Sequence, residues 1–160
     1  MSDCTTKNFI VYFRIAMAWT FLYAASHQVF DPSFSAVGFL SKTKTFHDFF
    51  AQFATPAALP YTNFLVEWGH LLIGLSLLFG FMTRVSAAFG TLLMIVYYFA
   101  HMDFPFIDDK TNFIMEFHLV YAGVLVWLIT AKAGHTLGLD GWIERHGILQ
   151  RCPVLRPLFQ

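Results

Sequence analysis

The sequence is poor in charge. Of its 160 residues only 10 are Lys or Arg and 10 are Asp or Glu, 12% in all, and the formal net charge is zero. An ordinary soluble domain carries about twice that charged fraction. With no basic run to break the neutrality, the chain lacks the electrostatic footprint of a nucleic-acid binder. Cysteine is scarce as well. Cys4 and Cys152 stand near opposite ends and no Cys-x-x-Cys occurs, which excludes a thioredoxin-like redox pair and a cysteine-rich metal site. The polar excess of a disordered chain is also missing, because 57% of the residues are apolar and 20 are Phe. Length alone indicates one domain. A water-soluble fold this small could not hide so much hydrocarbon, since small domains leave a large share of their surface exposed. A polytopic membrane protein is the class that remains.

A hydrocarbon core of ~30 Å takes about 20 mostly apolar residues per helix. Four stretches qualify, residues 8–30, 61–82, 85–102 and 111–131, with an outer loop over 31–60 and a tail over 132–160. The expected fold is an all-α integral membrane four-helix bundle. Arg14 sits inside the first stretch and no small-x-small site ends it, so it does not read as a cleavable signal peptide. Thr83-Arg84 makes a very short link between the second and third spans, and the segment from Asp103 to Lys110, with Pro105 and three acids, reads as a polar turn. Glycines stop the chain's helical pattern after Ala131. Four spans put both termini and the Arg84 turn on one side. Lys7, Arg14, Arg84, Lys132, Arg145, Arg151 and Arg156 collect there, against Lys42, Lys44 and Lys110 opposite, which by the positive-inside rule places both termini in the cytoplasm. Between Lys44 and Ala54, Phe46, Phe49, Phe50 and Phe53 recur at three- and four-residue spacing with Lys44, Asp48 and Gln52 among them. That pattern predicts a short amphipathic helix in the outer loop, lying on the membrane face or capping the bundle.

Ionisable groups inside a span cost about 2.5–3.5 kcal/mol each on insertion scales, so each needs a reason. At ~1.5 Å per residue, Glu67 and His70 lie roughly 9 and 14 Å from the outer end of the second span, and Glu116 and His118 roughly 8 to 11 Å from that of the fourth. His27 and His101 fall near the outer ends of the first and third. Six ionisable groups from four helices therefore gather in the outer half of the bilayer. Asn63, Glu67, His70 and Gly74 form one helical stripe, and Asn112, Glu116 and Gly123 a similar one. On helical geometry His118, two residues from Glu116, points away from it, which makes Glu116 the stronger candidate. Tyr23 shares a face with His27, and Tyr97 with His101. Arg14, near the inner end, either snorkels to the surface or reaches toward a carboxylate.

The candidate proton-handling residues are thus Glu67, His70 and Glu116. His27, His101, Arg14, Tyr23, Trp68 and Tyr97 are candidates for ligand contact, in an aromatic setting. Blander readings stand beside these: interfacial histidines at 27 and 101, a Glu67 that only locks packing, and a loop helix that only packs. A haem would need His70 and His118 to face each other at equal depth. Glu67-x-x-His70 is half of a di-iron bundle pattern, but Glu116-x-His118 has the wrong spacing for the other half, and no metal site is expected.

Three segments carry a resemblance. They are Arg14 to His27 (Arg-Ile-Ala-Met-Ala-Trp-Thr-Phe-Leu-Tyr-Ala-Ala-Ser-His), Glu67 to Arg84 (Glu-Trp-Gly-His-Leu-Leu-Ile-Gly-Leu-Ser-Leu-Leu-Phe-Gly-Phe-Met-Thr-Arg), and Gly134 to Asp140 (Gly-His-Thr-Leu-Gly-Leu-Asp) following a span with Glu116. Together, from about Arg14 to Trp142, they resemble the DoxX/DoxD family of four-helix membrane proteins. The long outer loop and the His/Glu pair look more like the DoxD branch, the membrane subunit of thiosulfate:quinone oxidoreductase. The resemblance implies a membrane redox role, oxidising thiosulfate to tetrathionate with electrons passed to quinone, alongside a DoxA-like partner chain. The rival expectation is a non-catalytic accessory subunit of a larger membrane complex, in which the polar cluster only fixes helix packing.

Overall fold

The structure, a computed structural model, describes residues 3–147, Gln150 and residues 156–159; Arg151 and Cys152 lie outside them, as does part of the tail. Helix α1 (Asp3–Val29) is followed by two short outer-loop helices, α2 (Val37–Leu40) and α3 (His47–Ala51), the latter continuing as a 3₁₀ turn over Gln52–Ala54. Then come α4 (Leu59–Phe79) and α5 (Thr83–Ala100), three short strands β1 (Met102–Asp103), β2 (Phe106–Ile107) and β3 (Asp109–Phe113), and α6 (Phe117–Thr130). A 3₁₀ turn over Ala133–His135 leads to α7 (Leu139–Arg145), and α8 (Arg156–Phe159) is the last element described.

Three of these helices, α1, α4 and α5, are long and apolar enough to cross a membrane. Their ends follow local chemistry. Pro60 stands in the first turn of α4, where its missing N–H costs nothing, and Gly80, at φ 64°, closes α4 in the left-handed conformation that glycine adopts without strain. The fourth expected span is shorter than its apolar run suggested. Residues 111–113 belong to β3, in an antiparallel sheet of order β1-β2-β3, and the helix begins only at Phe117. The physical reason is local: the Asp109 carboxylate accepts hydrogen bonds from the backbone N–H and the hydroxyl of Thr111, a turn that competes with helix formation. The 14 residues of α6 rise roughly 21 Å, against ~30 Å of hydrocarbon. The fold is therefore mostly helical, with a small sheet in the connection between α5 and α6.

Helices α1, α4, α5 and α6 pack around a shared core that includes Met17, Ala18, Phe21, Leu77, Ala87, Leu125 and Leu128. Small residues let the backbones close up. A Cβ on Gly74 of α4 would come 2.7 Å from Leu22 Cγ of α1, so that crossing needs glycine. The outward faces are apolar: Phe64, Leu65, Leu72, Phe89, Leu92 and Val120 are all more than half exposed. In the outer loop the amphipathic stretch is helical, but in a shorter piece than its pattern suggested. Phe50 is the side chain that docks, buried with Ala36, Leu40 and Ala100, whereas Phe49 stays exposed. The start of α1, the turn between α4 and α5, and α7 meet at one end of the helices. The outer-loop helices and the sheet lie at the other.

Candidate functional site

At the loop-and-sheet end the chain turns into α6 through Glu116. Its backbone is extended (φ −146°, ψ 164°), so it caps the helix instead of lying in it. The carboxylate folds back over the first turn. Oε2 accepts the His118 backbone N–H at 2.8 Å and the His118 ring Nδ1–H at 2.7 Å. This corrects the helical-stripe expectation, in which Glu116 shared a face with Asn112 and His118 pointed away: neither Asn112 nor Glu116 is in the helix. The Glu116 side chain is 1% exposed, and its second oxygen, Oε1, has no hydrogen-bond partner among the described residues.

From His118 a continuous array of rings runs into the helices. His101, at the end of α5, stacks on His118 with centroids 5.0 Å apart, and Phe39 of α2 covers His101 at 4.8 Å. Tyr97 of α5 meets His118 edge-on at 5.7 Å and stacks on His70 of α4 at the same distance; His70 in turn lies 5.8 Å from Phe21 of α1. His70 Nδ1 donates to the Val66 carbonyl at 2.6 Å, and His101 Nδ1 to the Tyr97 carbonyl at 2.9 Å. With every Nδ1 committed as a donor, the neutral rings of His70, His101 and His118 each keep Nε2 as a proton acceptor. The array opens outward at His101 into a cavity of about 280 Å³ whose walls include Phe39, Lys42, Lys44, Asp103 and Asp108. Lys44 is tied across it to Asp103 at 2.6 Å.

Of the residues expected to converge, the structure brings together His70, Tyr97, His101 and Glu116, and adds His118 and Phe39. The others stand apart. Tyr23 and His27 pair with each other, centroids 4.5 Å apart, on the exposed side of α1. Phe21 and Ala25 take the core positions of that helix, and side chains two residues along necessarily point elsewhere. Trp68 lies against Phe64 on the outward face of α4. Glu67 is half-buried and makes no hydrogen bond or ion pair among the described residues. Asn63, on its stripe, instead accepts the Ala36 N–H at 2.9 Å and ties the outer loop to α4. Tyr23, His27, Trp68 and Glu67 therefore lie outside the array that Glu116, His118, His101, Tyr97 and His70 form.

Arg14 belongs to a second polar cluster at the opposite end. It neither snorkels nor reaches the outer carboxylates. Only 2% exposed, it donates from Nη1 to the carbonyls of Ala133 and Thr136 at 2.8 and 2.9 Å, and from Nη2 to that of Leu137 at 2.9 Å. Asp140, also 2% exposed, accepts the N–H groups of Met82 and Thr83 at 2.6 and 3.0 Å and so caps α5 from a distance in sequence. The glycines of this segment are needed for space: a Cβ on Gly134 would run into Asp140 Oδ2, and one on Gly80 would come 2.7 Å from Arg14 Nη1. The sequence reading missed Asp140 as a buried partner. Its one signal was an acid in a glycine-rich segment just after a span.

The family model for DoxX matches residues 9–102, more than half the chain. The chain belongs to the DoxX family. No curated protein and no solved structure matches it. The DoxX match takes in Arg14, Glu67, His70, Tyr97 and His101; Glu116, His118 and Asp140 lie beyond it. Family and apolar helices together make this a membrane protein in contact with lipid. What the outer array can do chemically follows from its parts. A buried carboxylate fixes the orientation of one imidazole, and two further imidazoles and a phenol, all groups with exchangeable protons, lie in ring contact between that pair, the solvent-facing cavity and α4.

Proposed function

We propose that this DoxX-family chain is a multi-pass, four-helix membrane subunit of the DoxD kind, with both termini cytoplasmic, that passes electrons from thiosulfate to the quinone pool beside a DoxA-like partner. In this arrangement α6 is the fourth span. Ile114, at φ 60°, turns the chain before Glu116, so in this arrangement the roughly 21 Å rise of α6 is accommodated by local thinning of the bilayer.

The observation that carries the reading is the His101–His118–Tyr97–His70 array with its buried Glu116. The reaction's balance shows why it would be needed. Joining two thiosulfates through a new S–S bond to give tetrathionate releases two electrons and no protons. Reducing a quinone to a quinol consumes two electrons and two protons. The protons must come from elsewhere, and a chain of imidazoles running inward from a water-accessible cavity supplies them. A quinone's hydrocarbon chain has a place to lie in the groove of about 360 Å³ between α4 and α5, walled by Leu65, Leu72, Leu93 and Val96, where a Cβ on Gly69 would meet nothing within 4 Å.

The test is thiosulfate-dependent quinol formation by the chain purified with its partner. Glu116→Gln keeps size and one acceptor oxygen but removes the ionisable group. It is expected to lower turnover by about a hundredfold or more while insertion and yield stay normal. Wild-type turnover in both Glu116→Gln and His118→Ala would overturn the proton-delivery role. The second reading, a non-catalytic accessory subunit, draws on the exposed aromatic faces, with Trp19 at 68% and Tyr61 at 74% exposure. It predicts that the chain always purifies inside a larger complex whose activity survives both variants.

A further inference from the structure

The wall of the cavity of about 280 Å³ beside His101 holds two acids, and they are not alike. Asp103 of β1 is held by Lys44 at 2.6 Å. The Asp108 side chain makes no hydrogen bond or ion pair among the described residues. The next residue, Asp109, turns to Thr111 and does not line the cavity. Asp108 is fixed by its backbone instead. It is the single residue between β2 and β3, and Ile107 before it is 1% exposed. Its N–H donates to the His101 carbonyl at 2.9 Å. Its φ is 65°, in the left-handed region that Asp and Asn enter more readily than most side chains. The turn thus mounts an unspent carboxylate on the backbone of the residue where the imidazole array meets the cavity.

The other charged and titratable groups of this wall are Lys42 and Lys44, both exposed on the link between α2 and α3, His101 at the end of α5, and Asp103. Behind them, the charges that act on the His118 ring are those of Glu116, His101 and Asp108. Neutral imidazoles carry no charge with which to gather protons, and lysines repel them. The cavity's attraction for protons therefore comes from a carboxylate that no cation holds. We infer that Asp108 is the proton-collecting residue of the array. Its carboxylate takes a proton from solvent, passes it to a neutral imidazole of the His101–His118 pair, and returns to its charged form. No other bond is made or broken. The inference rests on the reading of the array as a proton path, and it holds whichever donor reduces the quinone.

The experiment is a light-triggered proton jump on the full chain in micelles, with isotope-labelled histidine followed by time-resolved infrared absorption. The array's response is the phase that disappears in His101→Gln. Charge that focuses a ligand into a cleft is worth roughly 10- to 1,000-fold in rate, so Asp108→Asn is expected to slow that phase about tenfold or more. Asp108→Gly should slow it equally. Glycine holds φ 65° without strain, so this variant removes the carboxylate and keeps the turn, and a lost fold cannot account for a lost rate. Asp109→Asn removes the same charge one residue along, keeps an acceptor for Thr111, and should leave the rate within about twofold. An unchanged phase in both Asp108 variants, an equal slowing in Asp109→Asn, or a wild type without the phase would each overturn the assignment. Quinol formation separates the two readings. A wild type whose rings take up protons through Asp108 but which forms no quinol from thiosulfate supports the collector and refutes the reaction. A chain that forms quinol and protonates its rings at wild-type rates in both Asp108 variants refutes the collector alone.

Discussion

Replacing Asp140 by Asn removes one oxygen and one charge from the cluster at the inner end, and its cost can be worked out from the contacts. Both carboxylate oxygens are occupied, Oδ1 by the Met82 N–H at 2.6 Å and Oδ2 by the Thr83 N–H at 3.0 Å, in a side chain only 2% exposed. An amide keeps one acceptor and turns its NH2 toward the other N–H, donor against donor. One buried backbone N–H is then orphaned, at about 1–3 kcal/mol. The surviving bond drops from charged to neutral acceptor, a further loss of about 1 kcal/mol. Arg14 loses the negative charge whose field it sits in, but keeps its three carbonyl acceptors, so this loss stays below the ~3–5 kcal/mol of a fully broken buried pair. The expected total is about 3–6 kcal/mol, a large part of a typical folding free energy. Unfolding in mixed micelles with increasing dodecyl sulfate reads it directly. Glu144→Gln serves as the reference, since the partly exposed His135–Glu144 pair is worth about 1 kcal/mol or less. If Asp140→Asn stays within about 1 kcal/mol of the wild type, the capping and charge-balance argument for this end is refuted.

Two further outcomes follow from the fold. Phe50→Ala should free the outer loop for proteolytic nicking and cost about 3–5 kcal/mol, since Phe50 is 4% exposed, whereas Phe49→Ala, at 56% exposure, should leave the nicking pattern unchanged. Reporter fusions after Gln160 and within residues 55–58 should report the cytoplasm and the outside respectively, as the lysine and arginine distribution requires; the same signal from both would refute the topology.

The long spans were legible because their signal is additive. Twenty apolar residues in a row need no partner to be recognised, and α1, α4 and α5 lie close to where composition puts them. The start of α6 was not legible, because it depends on a competition over four residues. Asp109 and Thr111 make a turn, Glu116 makes a cap, and an apolar run cannot say where such a contest ends. That error propagated into the site. Treating Glu116 as helical put it on a stripe with Asn112 and turned His118 away, whereas the extended backbone at Glu116 joins the two directly. Depth along a helix was easier to read than direction around it. His27 and His70 were both assigned to the outer half, but the core positions of α1 went to Phe21 and Ala25, and nothing in a helix that is apolar on every side announces which face its neighbours will take.

The two buried polar clusters illustrate how a lock differs from a site capable of chemistry, although both look alike in a sequence as charged residues in apolar helices. At the inner end the charged groups are held by backbone, Arg14 by three carbonyls and Asp140 by two N–H groups, with glycines where any side chain would collide, and Arg14 Nε and Thr83 Oγ1 are left over among the described residues. The space left beside Thr83 and Asp140 is about 10 Å³, room for about one water and no substrate. A change of protonation there would only break contacts. At the outer end what is left over is acceptors, and they stand beside open volume. Glu116 keeps one oxygen unpaired, three imidazoles keep an acceptor nitrogen each, and the array opens into a cavity nearly thirty times larger. In the proposed role, spare acceptors beside open volume would let protons be taken up without dismantling the fold. For that reason the search for turnover belongs with Glu116, His118 and His101, and the search for stability with Arg14 and Asp140.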